Sequence, residues 1–198
     1  MTKKSPDLHG NVPDNSKVAL LLVDVINDLD FEGGELLAEP AEAAAKRIAS
    51  LKQRARESGI PAIYVNDNFG KWRSDFKKLV THVIEDDTRG RAVAELLRPD
   101  ADDYFVLKPK QSGFYSTSLD ILLKHLGAET LILTGWAGDI CVLFTASDAH
   151  IRDYRLVIPG DCVVSQDEEV NQLSLEHMQR VLEADIGLST ELSLSRFT

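Results

Sequence analysis

Short apolar runs recur along the chain, and between them the apolar positions switch to helical spacing. Lys17–Asp24 reads KVALLLVD, apolar on both faces, which predicts a strand in the middle of a parallel sheet. Ile60–Asn66 (IPAIYVN), Tyr104–Leu107 (YFVL), Leu131–Thr134 (LILT) and Arg155–Pro159 (RLVIP) read as further strands, with Thr190–Leu194 as a sixth. After a flexible turn at Gly33-Gly34, Glu39-Pro40-Ala41-Glu42 places proline and acids in the first turn of a helix. That helix carries Ala44, Ile48 and Leu51 to a C-cap at Gly59. Shorter helices are expected over 75–85 and 92–97, the second closed by Pro99. An amphipathic helix over 117–126, capped by Ser116 or Thr117, ends at Gly127, and a last one runs from Ser165 and Asp167 to about Ala184. Gly135-Trp136-Ala137-Gly138-Asp139 makes a tight turn after the fourth strand, and Val142, Leu143, Ala146 and Ala149 open another helix with Cys141 in its first turn. This alternation predicts an α/β fold: three layers, α/β/α, around a mainly parallel, roughly six-stranded, Rossmann-like sheet. Residues 1–16, interrupted by Pro6, Gly10 and Pro13, read as a flexible N-terminal arm, and 17–198 as a single domain.

Composition narrows the partners. A net charge of −10 argues against nucleic acid and anionic membrane. No run approaches the ~20 apolar residues of a membrane helix, and the polar N-terminus lacks the apolar core of a signal peptide. Two cysteines, Cys141 and Cys162, offer no disulfide framework and suit a reducing, cytoplasmic setting.

Three residues with useful chemistry share one address. Asp24 closes the first apolar run, Lys108 follows YFVL, and Cys141 lies one turn beyond LILT. In a parallel sheet all strand carboxyl ends fall on one edge, where ligands bind. A cysteine in the first turn of a helix meets free N–H groups and a positive dipole end, which favour the thiolate and hold an oxyanion. Each residue also has a plain explanation: a buried structural cysteine, a capping aspartate, a solvated lysine. The coincidence of the three points to nucleophile, base and cation for acyl chemistry.

KVALLLVDVINDL, VLKPKQSGFYSTSL and LILTGWAGDICVLFTASDAHIRDYRLVIPGD together resemble the three signature blocks of the isochorismatase-like cysteine hydrolases, a family that includes nicotinamidases and N-carbamoylsarcosine amidohydrolases. The resemblance spans about residues 17–165. It implies Asp24 as general base, Lys108 as catalytic lysine (chosen over Lys110 by the spacing to Ser112-Gly113-Phe114) and Cys141 as nucleophile. It also implies a cis peptide at Trp136–Ala137, an oxyanion hole from the Ala137 and Cys141 N–H groups, and a homodimer or homotetramer. A lysine beside the sulfur is expected to lower the thiol pKa. The implied reaction cleaves a C–N bond of a small amide, ureido or carbamoyl compound through a thioester. Nicotinamidases of the family carry Asp-x-His with a further histidine after the second strand. Here Phe69 takes the first histidine position, so no metal and no other cofactor is expected. Tyr115, Trp136, Trp72 and Phe31 are candidate pocket walls, with Phe69 beside them. Two other readings keep the fold: an interaction module with a vestigial pocket, and a thiol redox sensor at Cys141.

Overall fold

In the computed structural model, which describes residues 14–70 and 75–196, six strands are found among the described residues. They are β1 (Val18–Val23), β2 (Ala62–Asp67), β3 (Tyr104–Lys108), β4 (Thr130–Trp136), β5 (Arg155–Val157) and β6 (Val163–Val164). All pair in parallel, in the order β3-β2-β1-β4-β5. β6 also lies on β4: β5 pairs with Thr130–Ile132, and β6 pairs further along with Gly135 and Trp136. The helices are α1 (Gly34–Glu57), α2 (Phe76–Glu85), α3 (Arg91–Leu96), α4 (Leu119–Leu126), α5 (Leu143–His150) and α6 (Glu168–Leu182).

The alternation of side chains along a strand divides the core in two. Val18, Leu20 and Leu22 of β1 point into a layer with Ile48 and Leu51 of α1, Val83 of α2 and Val93 of α3. Ala19, Leu21 and Val23 point the other way, onto Leu123 of α4, Ala146 of α5 and Met178 of α6. β1 is buried at every position, which is why its sequence shows no polar alternation. β1 and β4 approach closely at their carboxyl ends. Gly135 has φ +113°, and a Cβ there would lie 2.0 Å from the Val23 carbonyl oxygen.

Three expectations need correction. α1 begins at Gly34, so Pro40 sits inside the helix and not in its first turn. The added turn buries Leu37, which continues the stripe through Ala41, Ala44 and Ile48, and that burial outweighs the missing proline donor. The sixth strand is Val163–Val164, not Thr190–Leu194. Leu192 and Leu194 are buried against the α1 layer instead, and Arg54 takes the Ser189 and Leu192 carbonyls that a sheet neighbour would otherwise take. α4 has Ser118 at its N-cap with no side-chain cap bond, while Thr117 Oγ1 accepts from the Leu119 N–H just inside it. Most of the expected N-terminal arm, residues 1–13, lies outside the described residues.

Candidate active site

β1 ends where the chain turns at Asp24, held in the left-handed region at φ 53°. Aspartate tolerates that conformation better than most residues. Its Oδ1 accepts the Asp67 backbone N–H at 2.6 Å, and its Oδ2 lies 2.8 Å from Lys108 Nζ. Lys108 ends the edge strand β3, in register with Asp67 of β2. β3 stands two strands from β1, about 9–10 Å at ~4.8 Å per strand. Only a long side chain lying across the end of β2 spans that gap. The Lys108 stem does so fully buried, bringing Nζ to 3.4 Å from Cys141 Sγ and 3.4 Å from Asp67 Oδ2.

Cys141 is placed by the exit from β4. The Trp136–Ala137 peptide bond is cis, and Gly138–Val142 winds as a π-helical turn before α5. The Ala137 carbonyl accepts from the Ile140 N–H at 3.2 Å and the Val142 N–H at 3.1 Å, passing over the Cys141 N–H between them. Two bonds tie the loop after Lys108 to the helix after Cys141. Ser112 Oγ donates to Asp148, and the Gly113 N–H donates to Thr145 Oγ1 at 3.0 Å. The lysine and the sulfur are therefore carried by segments braced against each other.

Burial sets the protonation states. It pushes the Asp24 carboxyl up from the ordinary range, against the downward pull of Lys108. It would push the Lys108 ammonium down, but Asp24, Cys141 and Asp67 outweigh it and hold that group above the usual lysine range. The Cys141 thiol is pushed up to about 12 by burial and by the Asp24 charge, which Lys108 only partly offsets. The sulfur is thus a thiol at rest. Lys108 lowers the thiol pKa as expected, but burial and the Asp24 charge outweigh it, so the sulfur needs a base to ionise.

A cavity of about 530 Å³ opens over the sulfur, lined by Asp24, Asn27, Phe31, Leu37, Asp67, Phe69, Trp136, Ala137, Asp139, Ile140, Cys141, Gln166, Asp167 and Val170. Residues 18–186 match the isochorismatase domain family. The chain belongs to the isochorismatase family. It is 44% identical over 174 residues to the isochorismatase family protein YaaI of Bacillus subtilis (strain 168), covering 88% of this chain and 95% of that one. It superposes with TM-score 0.70 and 31% identity on N-carbamoylsarcosine amidase from Thermoplasma acidophilum, over 89% of this chain and 99% of that one. The pyrazinamidase/nicotinamidase from Streptococcus mutans UA159 gives TM-score 0.68 and 33% identity over 85% and 99%.

In this isochorismatase-family hydrolase, Asp24, Lys108 and Cys141 converge, and Trp136, Ala137 and Phe31 line the same cavity. Tyr115 does not: it is 57% exposed and absent from the lining. The Ser112 and Gly113 bonds to α5 carry the chain away from the cavity before Tyr115 is reached. Trp72 lies outside the described residues. Sequence reasoning missed Asn27, Leu37, Gln166, Asp167 and Val170 as lining residues. Gln166 and Asp167 follow β6 at its carboxyl end as Asp24 follows β1, but that two-residue strand was not among those read from the sequence. Among the described residues no group of three or more His, Cys, Asp or Glu side chains is placed to hold a metal ion.

Proposed function

We propose that this protein hydrolyses a C–N bond of a small amide, carbamoyl or ureido compound through a thioester on Cys141. The observation that carries the reading is the meeting of Lys108 Nζ with Asp24 Oδ2 at 2.8 Å and Cys141 Sγ at 3.4 Å beneath an open cavity. Asp24 takes the thiol proton, a role that suits a carboxyl whose pKa burial raises. Lys108 holds the charge that passes between carboxylate and sulfur. The sulfur forms a bond to the carbonyl carbon, and the Ala137 and Cys141 N–H groups receive the oxyanion. The π-helical turn supports this part, because it leaves the Cys141 N–H out of the Ala137 carbonyl bonds. Collapse breaks the C–N bond, and the amine leaves with the proton held on Asp24. Water then attacks the thioester, delivers its proton back through Asp24 and restores the thiol. The amidases among the solved relatives are consistent with this bond type.

The test is ammonia release from a panel of primary amides and ureido compounds, with mass spectrometry of quenched enzyme. Turnover with an acyl adduct on Cys141, both lost in Cys141→Ala, is the expected result. Turnover that survives Cys141→Ala would overturn the proposal.

A further inference from the structure

We infer that the part of the substrate remote from the scissile bond is cationic; this rests on the amide-hydrolase reading of the same site and names its substrate class. The cavity lining contains four carboxylates, Asp24, Asp67, Asp139 and Asp167, and no Lys or Arg among the described residues. Among the described residues the nearby ammonium is that of Lys108, which is fully buried and already shared among Asp24, Asp67 and Cys141. Asp139 and Asp167 have no Lys or Arg partner among the described residues.

A further observation points to a ligand of this kind. Phe31 and Phe69 line the cavity 41% and 40% exposed, and neither ring stacks on another among the described residues. Aromatic faces beside carboxylates make a seat for an ammonium or guanidinium group.

The helix N-termini here do not invert the argument. Such ends ordinarily attract anions, but the N-cap of α6 is Asp167 itself, whose Oδ1 accepts the Val170 N–H at 3.0 Å. Asp139 stands in the first turn of the π-helical segment that leads into α5. Each of these ends thus already carries a protein carboxylate, which repels a carboxylate on the remote part of a substrate.

A charge series tests this: betaine amide (cation), its neutral isostere 3,3-dimethylbutanamide, and succinamate, a small amide that carries an anion. Ammonia release is expected to give kcat/KM at least about tenfold higher for the cation than for the isostere, with the anion lowest and the gap narrowing in salt. Asp139→Asn with Asp167→Asn, which keeps a capping side chain at position 167, is expected to bring the cation-to-isostere ratio toward one. Calorimetric titration of Cys141→Ala with the same compounds reads binding without chemistry. Tighter binding of the cation there, with no hydrolysis of any compound by the unaltered protein, would sink the amide-hydrolase reading and leave the charge inference standing. Equal binding of cation and isostere, or preference for the anion, would overturn the inference, whichever residues carry it.

Discussion

Replacing Lys108 by methionine keeps the shape of the buried stem and removes the charge. Asp24, itself 5% exposed, then loses a cation 2.8 Å away. At an effective dielectric of ~20 the lost attraction is about 6 kcal/mol. Losing the desolvation cost of the ammonium returns part of it, and breaking a buried pair by removing one partner usually costs about 3–5 kcal/mol net. For a domain of this size that is a fall of about 6–20 °C in Tm. The sign with pH follows from Asp24. Its folded pKa is already raised by burial and rises further without Lys108, while its unfolded value stays near 4. A group with a raised folded pKa stabilises the fold at low pH and loses that contribution as pH climbs through the folded value. The deficit of Lys108→Met is therefore smallest below the folded pKa of Asp24 and grows as pH climbs through it, at no more than about 1.4 kcal/mol per pH unit. Urea unfolding at several pH values measures it. The double variant Asp24→Asn/Lys108→Met, with no buried charge left unpaired, is expected to recover most of the stability while remaining inactive. A deficit that does not change with pH, or a double variant as unstable as the single, would refute the electrostatic account.

Asp24→Asn separates two roles. Turnover should fall by about 10³-fold for want of a base. Yet the resting thiol pKa should drop, because the Asp24 charge is one of the causes that raise it and Lys108 remains to lower it. Iodoacetamide alkylation of Cys141 at pH 7.5 is then faster in the variant than in the unaltered protein, and slower alkylation would contradict the assignment. Gly135→Ala places a methyl 2.0 Å from the Val23 carbonyl and strains a φ of +113°. A loss of about 3 kcal/mol or more is expected in urea unfolding, with falling activity because Asp24 follows Val23 directly. Phe31→Ala and Phe69→Ala should each raise KM for a cationic amide several-fold with little change in kcat, as expected for walls that bind without reacting.

Much of the architecture was legible in the apolar pattern. A run such as VALLLV, apolar at every position, fits only a strand covered on both faces, and the helical periods between runs leave a parallel sheet as the economical solution. That rule also put Asp24, Lys108 and Cys141 on one edge, because strand ends in a parallel sheet share an edge whatever their neighbours. Three matters lay beyond the sequence. Strand order decided that Lys108 must cross β2 to reach Asp24, a distance that no spacing along the chain encodes. Burial decided that the thiol is protonated at rest, since desolvation depends on what packs around the sulfur and not on its place in a helix. Loop paths decided which aromatics face the cavity: Phe31 and Phe69 line it and Tyr115 faces solvent, because the bonds from Ser112 and Gly113 to α5 redirect the chain. Local pattern is set by side chains along the backbone, whereas the site is made by contacts between residues distant in the chain, and those exist only once the layers have packed.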